Sequence, residues 1–154
     1  MFRGQFEHAM DQKGRVALPS RFRDAMLGVR EKGDKAEPKV IITRALTATC
    51  LDVFPIAQWE AFEAKVAALP QFDPNVIKLQ RLYISAAIEC ELDGQGRVNI
   101  PSNLRAFAKL EKEVIWAGMT GKAELWALDA WKRENDPGTI DTALLRALGT
   151  ELKL

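Results

Sequence analysis

Apolar and polar residues alternate in two short stretches of this chain, and the second stretch repeats the first. Phe6, His8 and Met10 fall on one side of a run with Glu7 between them. Ile88, Cys90 and Leu92 do the same, with Glu89 and Glu91 facing away. A period of two with one apolar face predicts a half-buried strand. Each run ends in four residues with Asp first and Gly last, Asp11-Gln12-Lys13-Gly14 and Asp93-Gly94-Gln95-Gly96. That composition suits a tight turn, because Asp hydrogen-bonds nearby backbone and Gly takes a positive φ with little strain. Val16 with Leu18, and Val98 with Ile100, resume the alternation until Pro19 and Pro101 end it. Ser20 and Ser102 are then predicted N-caps of short helices carrying Phe22, Ala25 and Met26, or Leu104, Phe107 and Ala108. Counterparts stand 82 residues apart throughout, as Asp11 does from Asp93, and such self-similarity outranks any single residue in deciding the fold.

The repeat extends further. Val40–Thr43 and Cys50–Phe54 predict paired strands, echoed by Val114–Trp116 and Glu124–Trp126. Pro55 opens a helix whose apolar positions Ile56, Trp59, Phe62, Val66 and Leu69 share one face as far as Pro70. Leu128 and Trp131 answer Ile56 and Trp59. Asp73-Pro74 predicts an N-cap with Pro at N1 of a helix that joins the halves and exposes Lys78 and Arg81. Residues 30–39 are polar, with Gly and Pro, and predict a solvated connection. The tail carries Ile140, Leu144 and Leu148 as one helical stripe, expected to pack on the body or on a neighbouring subunit. The implied organisation is a first unit over residues 1–72 with its helix at 55–70, a linking helix at 73–85, a second unit over 86–132 and a helical tail at 133–154.

Composition narrows the class without adding chemistry. The 154 residues, 47% hydrophobic and 28% charged, suit an ordinary globular protein with one core. A formal charge of +1 gives no global basic field, so a nucleic-acid function must rest on a local patch. Residues 1–23 supply five basic side chains (Arg3, Lys13, Arg15, Arg21, Arg23) against Glu7 and Asp11. Cys50 and Cys90 lie in apolar strand-like surroundings and are expected to be reduced core residues; His8, the one histidine, is expected to face inward. Neither a zinc spacing nor a phosphate-binding glycine loop occurs, so no cofactor, no metal and no catalysis are expected. Without an apolar run of membrane length, a cytoplasmic location is expected.

Turn chemistry accounts for Asp and Gly but not for Arg15 and Arg97, which follow the last Gly both times. One explanation is an Asp–Arg pair bracing the turn, worth only about 0–1 kcal/mol when exposed. The other is a guanidinium presented to a phosphate or a guanine edge. Both can hold at once.

The two Asp-x-x-x-Arg motifs, in the settings Asp11–Pro19 and Asp93–Pro101, with the opening Met1-Phe2-Arg3-Gly4, resemble the MraZ family of bacterial transcriptional regulators of the division and cell-wall gene cluster. The resemblance covers about residues 1–132. It implies two AbrB-like swapped-hairpin units in one chain, subunits assembled in rings, and binding of double-stranded DNA at short G-containing direct repeats of a promoter, with nucleoid association. Its signature residues fall on Asp11, Arg15, Asp93 and Arg97, with DNA contact mainly at the first motif. Lys13 answers to Gln95, so the second loop is less basic and is expected to serve assembly more than DNA.

The combined expectation is a β-rich α+β protein whose two units form a pseudo-twofold, double-psi-like barrel with flanking helices, because one hairpin cannot bury both of its faces alone. Arg15 is the candidate base contact, Lys13 and Arg3 the phosphate contacts, and Gly14 the point of close backbone approach. Two other readings are a ring-forming interaction scaffold and an antitoxin-like regulator that binds a protein partner.

Overall fold

The computed structural model describes residues 1–28 and 38–154, and they form a mixed α+β fold built on antiparallel strands. Most of the predicted polar connection at 30–39 lies outside the described residues; Lys39 opens a strand. In chain order the elements are β1 (Gln5–Ala9), β2 (Arg15–Ala17), α1 (Ser20–Leu27), β3 (Lys39–Arg44), β4 (Leu51–Pro55), α2 (Ile56–Ala67) and α3 (Pro74–Leu79). The second half supplies β5 (Ile88–Glu91), β6 (Arg97–Asn99), α4 (Ser102–Ala108), β7 (Glu113–Gly118), β8 (Ala123–Ala127), α5 (Leu128–Glu134) and α6 (Thr142–Glu151). A π-helical turn, Gln80–Ile84, continues α3 towards β5.

Strand pairing crosses between the halves. Six strands form one sheet in the order β1-β7-β8-β4-β3-β5, and β2 pairs with β6 in a separate ribbon. Thus β1 of the first half lies on β7 of the second, while its counterpart β5 lies on β3 of the first. The registers obey one symmetry. Phe6 faces Trp116 and His8 faces Val114, just as Ile88 faces Ile42 and Cys90 faces Val40. Val16 pairs with Val98, its own counterpart, and Asp52 pairs with Glu124 at the middle of β4 and β8. A pseudo-twofold axis therefore runs through these two pairs. Among the described residues no continuous ladder closes β5 back onto β1, although Leu92 bridges to Val98 between sheet and ribbon.

The exchange follows from burial. The main core lies between the sheet and the ribbon with its helices, and it fully buries Val16, Leu18, Val98, Ile100, Leu125 and Trp116. A hairpin detached from its partner half would expose these side chains, each worth about 1.5–3 kcal/mol when buried. Phe22 of α1 meets Phe2 and Phe6 edge-on at 5.3 and 5.2 Å, and Trp116 Nε1 donates to the Ala17 carbonyl at 3.1 Å. Cys50 and Cys90 are both buried thiols, as expected, and burial pushes the Cys90 thiol up to about 11. His8 is half-buried on the inner side of β1, which lowers its basicity by desolvation.

Local details depart from expectation in two places, the helix caps and the end of α2. Pro19 and Pro101, not Ser20 and Ser102, occupy the cap positions of α1 and α4, and no side chain caps either helix. Each extended proline hands the chain directly to a serine already in the first turn. Helix α2 stops at Ala67, so Leu69 is left exposed beyond the apolar face instead of completing it. The tail helix α6 has no buried residue within the chain, which leaves the neighbouring-subunit alternative of the expectation open. The expected cap at Asp73 is present, its carboxylate accepting from the Asn75 amide at 2.8 Å. No helix of the described residues is long and apolar enough to cross a membrane.

A buried polar network marks the axis. Asp52, 2% exposed, receives the Tyr83 hydroxyl and the Lys122 ammonium, the latter at 2.7 Å. Thr43 Oγ1 donates to the Tyr83 carbonyl at 2.7 Å, and Arg44 Nε donates to the Leu82 carbonyl at 2.8 Å. These bonds hold the linking segment against β3. Trp59 and Tyr83 meet there edge-on at 5.7 Å and form a second, smaller core with Ile41. Cys50 and Glu124 complete the cluster, with ligating atoms within 4.8 Å of one another and of Asp52. Lys122 already supplies positive charge to Asp52.

Removing one partner from this network leaves a buried carboxylate short of a donor. Tyr83→Phe is expected to cost about 1–3 kcal/mol and Lys122→Met about 3–5 kcal/mol. Urea denaturation at fixed protein concentration checks this, as midpoints shifted down with unchanged slope.

Candidate nucleic-acid interface

Each half presents one Asp-x-x-x-Arg loop, and the two loops have the same geometry. In the first, Asp11 Oδ1 accepts the Lys13 and Arg15 amides, both at 2.9 Å, while Oδ2 accepts Arg15 Nε at 2.7 Å. In the second, Asp93 Oδ1 accepts the Gln95 and Arg97 amides at 2.8 and 3.0 Å, and Oδ2 accepts Arg97 Nε at 2.9 Å. Backbone bonds close both turns alike, from Gly14 N to the Asp11 carbonyl and from Gly96 N to the Asp93 carbonyl, each 3.0 Å. These donors hold both carboxyl groups below their ordinary value, the amides of Arg15 and Arg97 being the largest cause in each. The internal brace and the external reading of the arginine are therefore compatible. With Nε committed to Asp, the Nη groups of each guanidinium remain as the outward donors.

The structure disperses the basic patch read from residues 1–23. Lys13 is exposed and Arg15 half-buried on the same loop. Arg3 sits beyond the far end of β1, its backbone against Gly118, so the whole strand lies between it and Asp11. At roughly 3.3 Å per residue this separation is about 25 Å. Arg23 leaves the first loop altogether. Its guanidinium lies against Gly96 of the second loop, where a Cβ would come within 2.7 Å of Arg23 Cζ and Nη2.

Arg105 of α4 makes the reciprocal contact on the first loop. A Cβ at Gly14 would meet Arg105 Nη1 at 2.6 Å, Cζ at 2.7 Å and Nε at 2.8 Å. Gly14 is buried, and its φ of +84° and its missing Cβ admit the guanidinium. Arg23 and Arg105 are themselves counterparts 82 residues apart. Extending the repeat three residues past Ser20 and Ser102 would have found them. The contact is set by the ribbon, in which Leu18 N donates to the Gly96 carbonyl at 3.0 Å and Ile100 N to that of Gly14 at 2.9 Å. Each loop therefore lies beneath the other half's helix.

Two substitutions make the loops unequal. Lys13 has Gln95 as its counterpart. By strand register Lys39 of β3, opposite Glu91, answers to Glu113 of β7, opposite Ala9. Lys13, Lys39 and Arg105 line one groove of about 650 Å³ beside the first loop, together with Asn99 and Ser102. Glu89 also lines it, and Lys39 Nζ lies 3.2 Å from Glu89 Oε2. The equivalent surroundings of the second loop exchange two lysines for a glutamine and a glutamate. The loops differ in charge, not in shape.

Comparison with known proteins matches this duplication. Residues 1–82 and 83–136 each match the family model described as "MraZ protein, putative antitoxin-like", the two matches meeting inside the π-helical turn. A protein of Alkaliphilus metalliredigens named "Transcriptional regulator MraZ" is 41% identical over 140 residues, 91% of this chain and 90% of the relative. Relatives of the same name come from Shewanella frigidimarina, 43% identical over 138 residues (90% and 87%), and Pseudomonas putida, 42% identical over 149 residues (97% and 93%).

The lowered carboxyl pKa values fix an acid response. A group depressed in the folded loop contributes order above its ordinary value of 3.8 and loses it as pH falls through the lower folded value. Amide resonances of Lys13 and Arg15, and separately of Gln95 and Arg97, are expected to move together with midpoints below 3.8 and to stay unchanged at higher pH. Asp11→Asn should abolish the transition in the first loop alone.

Proposed function

The chain belongs to the MraZ family, and from that premise we propose that it is a sequence-specific DNA-binding transcriptional regulator of the division and cell-wall gene cluster. It acts as a repressor, a ring-shaped homo-oligomer occupying short direct repeats at the promoter. The observation that carries this reading is the first loop, where Arg15 is braced by Asp11 on a rigid turn with the exposed Lys13 beside it. A braced guanidinium loses little freedom on meeting a guanine edge, and the adjacent ammonium suits a phosphate. Arg3, at the other end of β1, serves as a separate phosphate contact.

One bidentate contact gives about 1–3 kcal/mol of discrimination, so a single subunit reads little. Several subunits on several repeats multiply it through effective concentration. Repeats about one helical turn apart offer the same face to successive subunits of a head-to-tail ring. The second loop, with Gln95 in place of lysine, serves assembly through Asp93 and Arg97. The strand exchange between halves supports two AbrB-like swapped-hairpin units closing a pseudo-twofold barrel, with Leu92 and Val98 bridging sheet and ribbon.

A second reading, an antitoxin-like regulator whose C-terminal helix binds a protein partner, is favoured by one feature: α6 leaves Leu144, Leu145 and Leu148 exposed along a helix with no buried residue.

Binding of wild type, Arg15→Ala and Arg97→Ala to a fragment from upstream of the gene tests the proposal, at two salt concentrations with oligomer size monitored. Arg15→Ala is expected to weaken binding at least about tenfold with the oligomer intact, and Arg97→Ala to act chiefly on assembly. Wild type without preference over random DNA would overturn the reading.

A further inference from the structure

We propose that Arg105 is a DNA phosphate contact, so that the binding site at the first loop is composite, with Lys13 from one half of the chain and Arg105 from the other. The inference rests on reading the first loop as the DNA-contacting one. Its geometry is independent of that reading.

The guanidinium of Arg105 lies across Gly14, and its Nε is buried without an acceptor among the described residues. The plate is therefore held from one side, and its Nη groups are the donors left to meet a ligand. Lys13 lines the same groove from the loop, Lys39 from β3, and Asn99 and Ser102 add short polar side chains. Two cations converging from different elements on an open groove match the tetrahedral oxygens of a phosphodiester, which accept from a forked and a point donor alike. Glu89 and Glu91 line the groove too, and the Lys39 pair to Glu89 offsets part of their repulsion.

The pseudo-symmetry supplies the control. Arg23 lies on Gly96 in the same way, also with a buried Nε lacking an acceptor among the described residues. Whatever the plate does for the fold, both arginines do. By position, Gln95 and Glu113 stand at the second site where the first has Lys13 and Lys39. A purely structural role predicts equal effects at the two positions, and a ligand contact predicts unequal ones.

The test measures affinity for the upstream fragment against salt for wild type, Arg105→Gln, Arg23→Gln and Arg105→Lys, with thermal melting and oligomer size recorded. Glutamine keeps a planar group over the glycine and removes the charge. The expected result is an affinity about tenfold lower for Arg105→Gln and a log–log salt slope shallower by about 0.9 for each phosphate no longer neutralised. Arg23→Gln should stay within about twofold of wild type, and Arg105→Lys should keep the wild-type slope, since a point cation still neutralises the phosphate. Equal reductions at the two positions, or an unchanged slope in Arg105→Gln, would overturn the contact, as would a shallower slope in Arg105→Lys should the glutamine variant not fold. Wild type with no preference for the fragment sinks this proposal together with the first-loop reading. Wild type that prefers it, with Arg105→Gln unaffected, sinks this one alone.

Discussion

The pairing of Val16 with Val98 is the contact on which the rest of this structure depends. The two valines are equivalent positions, so the ribbon they centre relates the two halves by a pseudo-twofold axis through that pair. Leu18 then reaches the Gly96 carbonyl and Ile100 that of Gly14, and each loop is pressed beneath the opposite helix. Neither half can be understood alone. A detached unit would be without the partner of its β1 or β5 strand, the cover over its ribbon and the guanidinium over its glycine.

On this symmetric scaffold the chain is decorated asymmetrically. The linking segment, with Tyr83 on Asp52 and Thr43 on the Tyr83 backbone, has no counterpart, because the strand positions matching Thr43 and Arg44 are Ala117 and Gly118. At the loops the difference is electrostatic, Lys13 and Lys39 against Gln95 and Glu113. Duplication secures a stable core, since each turn and each arginine clamp is built twice from the same local chemistry. The proposed DNA contact rests on what the two copies do not share.

Much of this is legible in the residues because the relevant physics is local. Asp at the first and Gly at the last position of each turn, alternation before and after, and Asp73-Pro74 as a helix start all act within a few residues of themselves, and all appear as expected. The exchange of β1 and β5 between halves is not readable from alternation, which reports a face and not a partner. Arg23 escapes the sequence for the same reason: adjacency along the chain puts it with the first loop, whereas the ribbon carries it to the second. Arg3 is close to Lys13 in number, yet an extended strand separates them in space. Ser20 and Ser102 look like caps by residue type, but the preceding prolines already hold the cap conformation. The leucine stripe of α6 is plain in the spacing, yet nothing in a sequence says whether its partner lies in the same chain.

In the proposed function, DNA binding depends on where the charge stands and not on how much there is. The double exchange Lys13→Gln with Gln95→Lys keeps composition, net charge and the pseudo-symmetric frame while moving one ammonium from the first loop to the second. Measured on the upstream fragment at two salt concentrations, this variant should bind about tenfold or more weaker than wild type with its oligomer unchanged. Affinity equal to wild type would contradict the account, for either loop would then serve and the difference between the halves would carry no function.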